Sequence, residues 1–109
     1  MSTYIAQTKG DRIQFPPAIA DQVRNSGWLE VLVVPSDDNE SLTVYPLPHP
    51  GAPSGGFKTE VDAKDGLHIS DEICSQVNLT GQNVMVRFEG ELLKIYLRRV
   101  FKTLGFRPS

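Results

Sequence analysis

Two stretches of the chain, DRIQFPPAIADQVRNSG at residues 11–27 and DGLHISDEICSQVNLTG at residues 65–81, follow the same pattern. Their apolar residues recur at a constant offset of 54 positions, so that Ile13 aligns with Leu67 and Ile19 with Ile73. Aspartate opens both stretches and glycine closes both. Because apolar, polar and glycine positions coincide together, the pattern predicts an internal duplication.

Each stretch predicts a short strand followed by a short helix. Apolar and polar residues alternate over residues 13–15, as on a half-buried strand. The helix is expected to begin at Pro17, because the N–H that proline lacks would be unpaired in the first turn. Gly27 is expected to end it. In the second stretch we expect Ser70 to cap the helix and Gly81 to end it.

Alternating apolar patterns also flank both helices and predict the remaining strands. These strands are expected at residues 3–7, 29–34, 42–45, 58–61, 84–88 and 92–97. The last pair repeats the hairpin of the first half with a loop three residues shorter. Each half is therefore a β-β-α-β-β unit, and the fold class is mainly β (α+β). One such unit buries little surface and leaves strand edges unpaired, so the two units are predicted to interleave into one β-barrel.

The chain divides into four predicted parts. Between the units lies a proline- and glycine-rich linker, which excludes regular helix and central strand. The last part alternates basic and apolar residues, as in an amphipathic helix that packs on the barrel or on a neighbouring subunit; contact with phosphate is the alternative. The parts are residues 1–46 (first unit), 47–56 (linker), 57–97 (second unit) and 98–109 (basic C-terminal helix or tail).

Composition and charge restrict the class of protein. The hydrophobic share of 39% and the charged share of 22% are typical of a soluble globular protein. We expect a cytoplasmic protein without a membrane partner, because no apolar run reaches about 20 residues and the start lacks a signal-peptide pattern. A net charge of −2 argues against non-specific coating of nucleic acid, although residues 94–109 hold five basic residues and no acidic one.

No group of residues predicts catalysis or a bound cofactor. His49 and His68 have no second ligand at zinc spacing, and neither a nucleophile with its base nor a phosphate-binding loop is present. Cys74 is predicted to be a buried structural thiol and Trp28 an anchor of the core. We therefore expect no enzyme, no metal site, no cofactor and no small-molecule substrate.

The motifs of both halves resemble those of the MraZ family. GDRIQFP at residues 10–16 and LTVYP at residues 42–46 are similar to the first half of MraZ proteins, and DAKDGLHI at residues 62–69 is similar to the second. The resemblance covers almost the whole chain outside the linker. It implies the swapped-hairpin barrel of the AbrB and MraZ superfamily, bacterial transcription factors that bind double-stranded DNA as dimers or as rings of tandem-repeat subunits.

The family pattern, approximately Asp-x-Lys-Gly-Arg, apolar, x, apolar, Pro, is only partly present. Arg12 occupies the arginine position of the first unit. In the second unit Asp62 and Lys64 match, but Asp65 and Gly66 stand where Gly-Arg belongs. In the first unit Asp11 stands where glycine is expected. The carboxylates of Asp11, Asp62 and Asp65 would repel phosphate.

Two functions follow as hypotheses. The first is a sequence-specific DNA-binding transcriptional regulator, a homo-oligomer located at the nucleoid. The second is a degenerate barrel that acts as a protein-interaction or assembly module without DNA binding. For Arg12, the alternative to a DNA contact is a surface ion pair with Asp11 or another neighbour. The candidate DNA-binding residues are Lys9, Arg12, Lys64, Arg98 and Arg99.

Overall fold

Every strand expected from the sequence is present within two residues of its predicted bounds. The computed structural model describes residues 3–37, 39–62, 64, 66–77 and 83–97. In these ranges the strands are β1 (Tyr4–Lys9), β2 (Arg12–Gln14), β3 (Glu30–Pro35), β4 (Ser41–Pro46), β5 (Phe57–Asp62), β6 (Gly66–His68), β7 (Asn83–Glu89) and β8 (Leu92–Tyr96). The helices are α1 (Pro17–Ser26) and α2 (Asp71–Gln76).

The strands form one closed antiparallel barrel. Their order around it is β1-β2-β6-β5-β3-β4-β8-β7, and β7 pairs with β1 to close the ring. Strands β1 to β4 belong to the first half of the chain and β5 to β8 to the second, and exchanging the halves reproduces the same circular order. Closure leaves none of these strands with a free edge. The expectation of a mainly β barrel is confirmed.

The centre of the barrel contains the residues that carry the repeat. Ile13 on β2 lies directly opposite Leu67 on β6, and both are buried. These two residues also align with each other in the sequence, so exchanging the halves leaves their pairing in place. Helix α1 adds Ile19 and Val23 to the same core, and α2 adds Ile73.

The two helices end differently. Gly27 ends α1 in the left-handed conformation (φ 71°), and the Ser70 side chain accepts a hydrogen bond from the Ile73 N–H at 3.4 Å, as predicted. The prediction that α2 continues to Gly81 is wrong. The helix stops before Val77, whose backbone is extended (φ −133°, ψ 105°) and whose β-branched side chain is buried in the core. Gly81 itself lies outside the described residues.

Two side chains are less buried than the sequence predicts. Trp28 is half-buried at the end of α1, where its ring meets the ring of Phe88 edge to face at 5.6 Å. Cys74 is also half-buried, because the inward position of α2 is taken by its neighbour Ile73. Both pack on the margin of the core rather than inside it. The predicted C-terminal segment, residues 98–109, lies outside the described residues.

Neither helix in the described ranges has the length and apolar character needed to cross a bilayer.

Candidate nucleic-acid interface

Lys9 and Arg12 lie side by side on the first hairpin. A two-residue turn, Gly10 and Asp11, joins β1 to β2, and Lys9 pairs directly with Arg12 across it. Gly10 has a positive φ of 61°, which glycine adopts readily at the first position of such a turn. Directly opposed residues of an antiparallel pair face the same side, with their Cβ atoms about 5 Å apart. The hairpin therefore presents two neighbouring cations on one surface.

Neither cation lies within ion-pair distance of a carboxylate in the described ranges. The carboxylate of Asp11, the expected partner of Arg12, lies instead near His68, with its Oδ2 atom 3.4 Å from Nδ1. His68 is the residue opposite Arg12 on β6. The structure therefore does not show the surface ion pair that was the alternative role of Arg12, neither with Asp11 nor with another described residue.

Opposed like charges without a counter-ion destabilise a strand pair by a few tenths of a kcal/mol or more, roughly 0.2–1 kcal/mol for cross-strand pairs in general. The Lys9–Arg12 pair therefore does not stabilise the hairpin. A guanidinium beside an ammonium is suited to an anion with several oxygens, such as a phosphate group. The arrangement can thus bind phosphate without first breaking an internal contact.

The second hairpin has a different chemistry at the same place. Its turn contains three residues, 63–65, and the residues that pair on either side of it are Asp62 and Gly66. In the first hairpin the corresponding pair is Lys9 and Arg12. Gly66 (φ 92°) has no room for a side chain, since a Cβ atom there would lie 1.9 Å from the backbone oxygen of Ile13. An arginine at this position is therefore sterically excluded, and the cation pair occurs in one hairpin only.

The other candidate residues do not join the pair. Lys64 is exposed in the second turn, where its backbone N–H donates to Asp62 Oδ1 at 2.7 Å. Strands β2 and β6 are antiparallel and each begins at its own turn, so the two turns lie at opposite ends of the strand pair. Arg98 and Arg99 lie outside the described residues. The structure thus brings together Lys9 and Arg12, and it separates Lys64 from them.

Arg12 also lines an acidic cleft, which the sequence did not predict. Glu30 of β3 lies directly opposite Glu60 of β5. These residues are 30 positions apart in the chain, so no local sequence pattern indicates that their strands pair. The cleft has a volume of about 440 Å³ and contains three carboxylates and one guanidinium. It is lined by Arg12, Leu29, Glu30, Glu60, Val61 and Asp62.

Two more cations, Arg87 and Lys94, face each other on β7 and β8 but have internal partners. The Arg87 Nε–H donates to Glu89 Oε2 at 2.7 Å, and the Tyr96 hydroxyl donates to the same oxygen at 2.5 Å. The Lys94 ammonium donates to the Thr43 hydroxyl at 2.7 Å. These two cations are therefore occupied in stabilising the barrel wall.

The Glu89 contacts predict a pH-dependent contribution to stability. Burial alone would raise the pKa of Glu89, but hydrogen bonds from Tyr96 and Arg87 outweigh it and hold the pKa below 4.5. A lowered carboxyl pKa stabilises the fold above the unfolded-state pKa, and this stabilisation is lost as the pH falls through the folded-state value. We expect Glu89→Gln to reduce the free energy of unfolding at pH 7 by about 1–2 kcal/mol.

Urea unfolding at pH 7 and pH 3 measures this effect. The difference between the wild type and Glu89→Gln should be smaller at pH 3 than at pH 7, because a larger share of the wild-type carboxylate is protonated at the lower pH. Glu91→Gln is the matched control. Its side chain is 89% exposed in the adjacent turn, and its one ion-pair contact among the described residues, with His49 at 3.7 Å, is long and exposed, so the change should alter stability little at either pH. A Glu89→Gln loss that is equally large at both pH values would contradict the electrostatic explanation.

Together the fold and this surface define a closed antiparallel barrel with two opposed cations on one hairpin, which form no ion pair with a described residue. No group of His, Cys, Asp or Glu side chains in the described ranges is arranged to hold a metal ion. The chain matches no family model, no curated protein and no solved structure.

Proposed function

We propose that the protein is a sequence-specific DNA-binding transcriptional regulator of the MraZ type, which acts at the nucleoid as a homo-oligomer. The observation that carries this proposal is the Lys9–Arg12 pair, two like-charged side chains directly opposed and without an anionic partner among the described residues. An anionic ligand would remove the repulsion between them, and the DNA backbone supplies such groups at regular spacing.

The proposal includes a tandem, swapped-hairpin organisation. Two features support it. The circular strand order is unchanged when the halves are exchanged. Each strand also pairs with one strand of its own half and one of the other half, as β2 does with β1 and β6. In this view each β-β-α-β-β unit contributes half of a barrel that two separate chains would otherwise form.

The two cations have different roles in this mechanism. The planar guanidinium of Arg12 can bind two phosphate oxygens, or the O6 and N7 atoms of a guanine, with two parallel hydrogen bonds. Lys9 acts as a point charge on a neighbouring phosphate. Because the second hairpin lacks this pair, one subunit binds DNA weakly, and an oligomer is needed to combine several such contacts on one duplex.

Arg12→Ala tests the proposal against a variant with the same change in charge. We expect it to weaken binding to a duplex from the protein's own upstream region by about 1–3 kcal/mol, roughly 5- to 160-fold, in a fluorescence anisotropy titration. Arg24→Ala is the control, because Arg24 is paired with Asp21 at 3.0 Å on the exposed face of α1. It should change the affinity by less than about twofold. Equal losses in the two folded variants would contradict a specific role for Arg12.

A second candidate function is a protein-interaction or assembly module without DNA binding. The opposed carboxylates of Glu30 and Glu60 favour it, because they repel phosphate beside Arg12. Absence of salt-sensitive DNA binding by the folded protein, together with a defined protein partner in a pull-down, would support this function over the first.

A further inference from the structure

The histidine opposite Arg12 has a buried ring nitrogen that forms no hydrogen bond with a described residue. His68 pairs directly with Arg12 across β2 and β6, so both side chains lie on the same face of the sheet. The buried atom is Nδ1. The carboxylate within ion-pair distance of it is that of Asp11, whose Oδ2 atom lies 3.4 Å away. Since buried polar atoms are usually hydrogen-bonded, a small shift would convert this contact into a hydrogen bond.

The backbone fixes the Asp11 carboxylate beside this ring. The Ile69 N–H donates to the Asp11 carbonyl oxygen at 2.6 Å, so the first turn is hydrogen-bonded to the residue that follows His68. The Asp11 side chain is 68% exposed, and Asp11 directly precedes Arg12. A phosphate group that approaches Arg12 therefore also meets a carboxylate. Asp11 lowers the affinity of the cation pair for anions unless its charge is cancelled.

We propose that His68 is a positioning residue of the anion site, whose protonated imidazole donates from Nδ1 to Asp11 and cancels the charge of that carboxylate. The proton comes from solvent, to which the His68 side chain is 37% exposed. A neutral ring can also donate a hydrogen bond, but only the imidazolium has a positive charge. With Asp11 neutralised, Lys9 and Arg12 bind phosphate groups more tightly. The inference rests on the proposed function, because this pair is the phosphate site.

The other charged groups around His68 determine how protonation and anion binding are linked. Arg12 and Lys9, on the β2 side, repel a positive charge on the ring, whereas Asp11 attracts it. The charged residues on the exposed face of β5 and in the first turn of α2, the elements that adjoin β6, are Lys58, Glu60, Asp62, Asp71 and Glu72. A bound phosphate offsets the repulsion from the two cations. Anion binding and protonation of His68 therefore favour each other.

The pH dependence of duplex binding tests the proposal. Imidazole commonly changes its charge between about pH 5 and 8, and the chain contains two histidines. At constant ionic strength, we expect the wild type to bind the upstream duplex at least about fivefold more tightly at pH 6 than at pH 8, the lower end of ordinary coupling between two sites. The affinity of His68→Gln should change by less than about twofold. Fluorescence anisotropy with a pH-insensitive dye measures both proteins.

His49→Gln is the matched control. His49 lies between β4 and β5, where its Nε2 atom is 3.7 Å from the carboxylate of Glu91 on a different hairpin. Its replacement removes the same titratable group and should leave the wild-type pH dependence. Asp11→Asn should bind the duplex more tightly than the wild type at pH 8, because the carboxylate is gone, and should gain less on going to pH 6. Circular dichroism at both pH values establishes that each variant is folded.

Three results would overturn the proposal. They are equal wild-type affinities at the two pH values, a pH dependence that survives in folded His68→Gln, and one that disappears in His49→Gln. Full wild-type dependence in Asp11→Asn also overturns it, and loss of the dependence in Glu60→Gln would then identify Glu60 as the carboxylate concerned.

A second ligand separates this proposal from the proposed function. A short heparin oligosaccharide, whose sulfate groups stay ionised over this range, is titrated in parallel with the duplex. If heparin binds with the expected pH dependence and the duplex does not bind, the DNA-binding function fails and the role of His68 stands. If both ligands bind without pH dependence, only the role of His68 fails. If neither binds, both proposals fail.

Discussion

Replacing Gly66 with alanine is expected to destabilise the protein more than the same replacement at any other glycine in the described ranges. A Cβ atom at this position would lie 1.9 Å from the backbone oxygen of Ile13 and 2.9 Å from its carbonyl carbon. Both atoms belong to β2, so the two strands must separate or lose their register. The positive φ of 92° adds strain for any residue other than glycine. We expect a loss of more than about 3 kcal/mol in the free energy of unfolding.

Gly10→Ala separates the steric effect from the effect of backbone conformation. Gly10 also has a positive φ, 61°, but a Cβ atom there would meet nothing within 4 Å. Its loss should be about 1 kcal/mol, the usual cost of a left-handed residue that is not glycine. Thermal unfolding followed by circular dichroism would show the difference, with a melting temperature lower by more than about 12 °C for Gly66→Ala. Equal losses in the two variants would contradict the close approach of β2 and β6.

Truncating the central pair is expected to have the second largest effect. Ile13 and Leu67 are buried and directly opposed across the seam between the halves. Ile13→Ala and Leu67→Ala should each lower the free energy of unfolding by about 2–5 kcal/mol, because each leaves a cavity in a closed core. The double variant should lose less than the two single losses added together, by about 0.5 kcal/mol or more, since both cavities share one site.

Met85→Ala provides the additive comparison for this cycle. Met85 is also buried, but it lies outside the core cluster that contains Ile13 and Leu67. Its combination with Ile13→Ala should be additive within about 0.5 kcal/mol. Urea unfolding measures all the variants, in a stabilising osmolyte if the double variant is unfolded in water. Additive losses for Ile13 and Leu67 would contradict their direct contact, and with it the pairing of β2 with β6.

Local patterns in the sequence were sufficient to predict the elements of the fold. Strands were visible from alternation, and α1 from Pro17 and Gly27, because these signals depend on residues close in the chain. The end of α2 was predicted wrongly, because the burial of Val77 in the core overrode the glycine signal further on. At the end of α2, the packing of Val77 therefore outweighed the local preference of Gly81 for a helix end.

The candidate site was less predictable, because it depends on which strands pair. Arg12 was identified from its motif. That it forms no ion pair with a described residue depends on the position of Asp11, which lies beside His68 of another strand. The constant offset of 54 residues also did not reveal that the second turn, at 63–65, is one residue longer than the first. Because of this extra residue, Asp62 occupies the position in the second hairpin that Lys9 occupies in the first. The opposition of Glu30 and Glu60 required the register of β3 with β5. No local pattern contains that register.

The central claim is that the Lys9–Arg12 pair binds the DNA backbone, and the salt dependence of binding tests it most directly. The full chain is titrated onto the upstream duplex between about 50 and 200 mM salt. We predict that the logarithm of the association constant falls linearly with the logarithm of the salt concentration. In Arg12→Ala the slope should be shallower by about one. No binding at the lowest salt, or an affinity that does not change with salt, would contradict the claim.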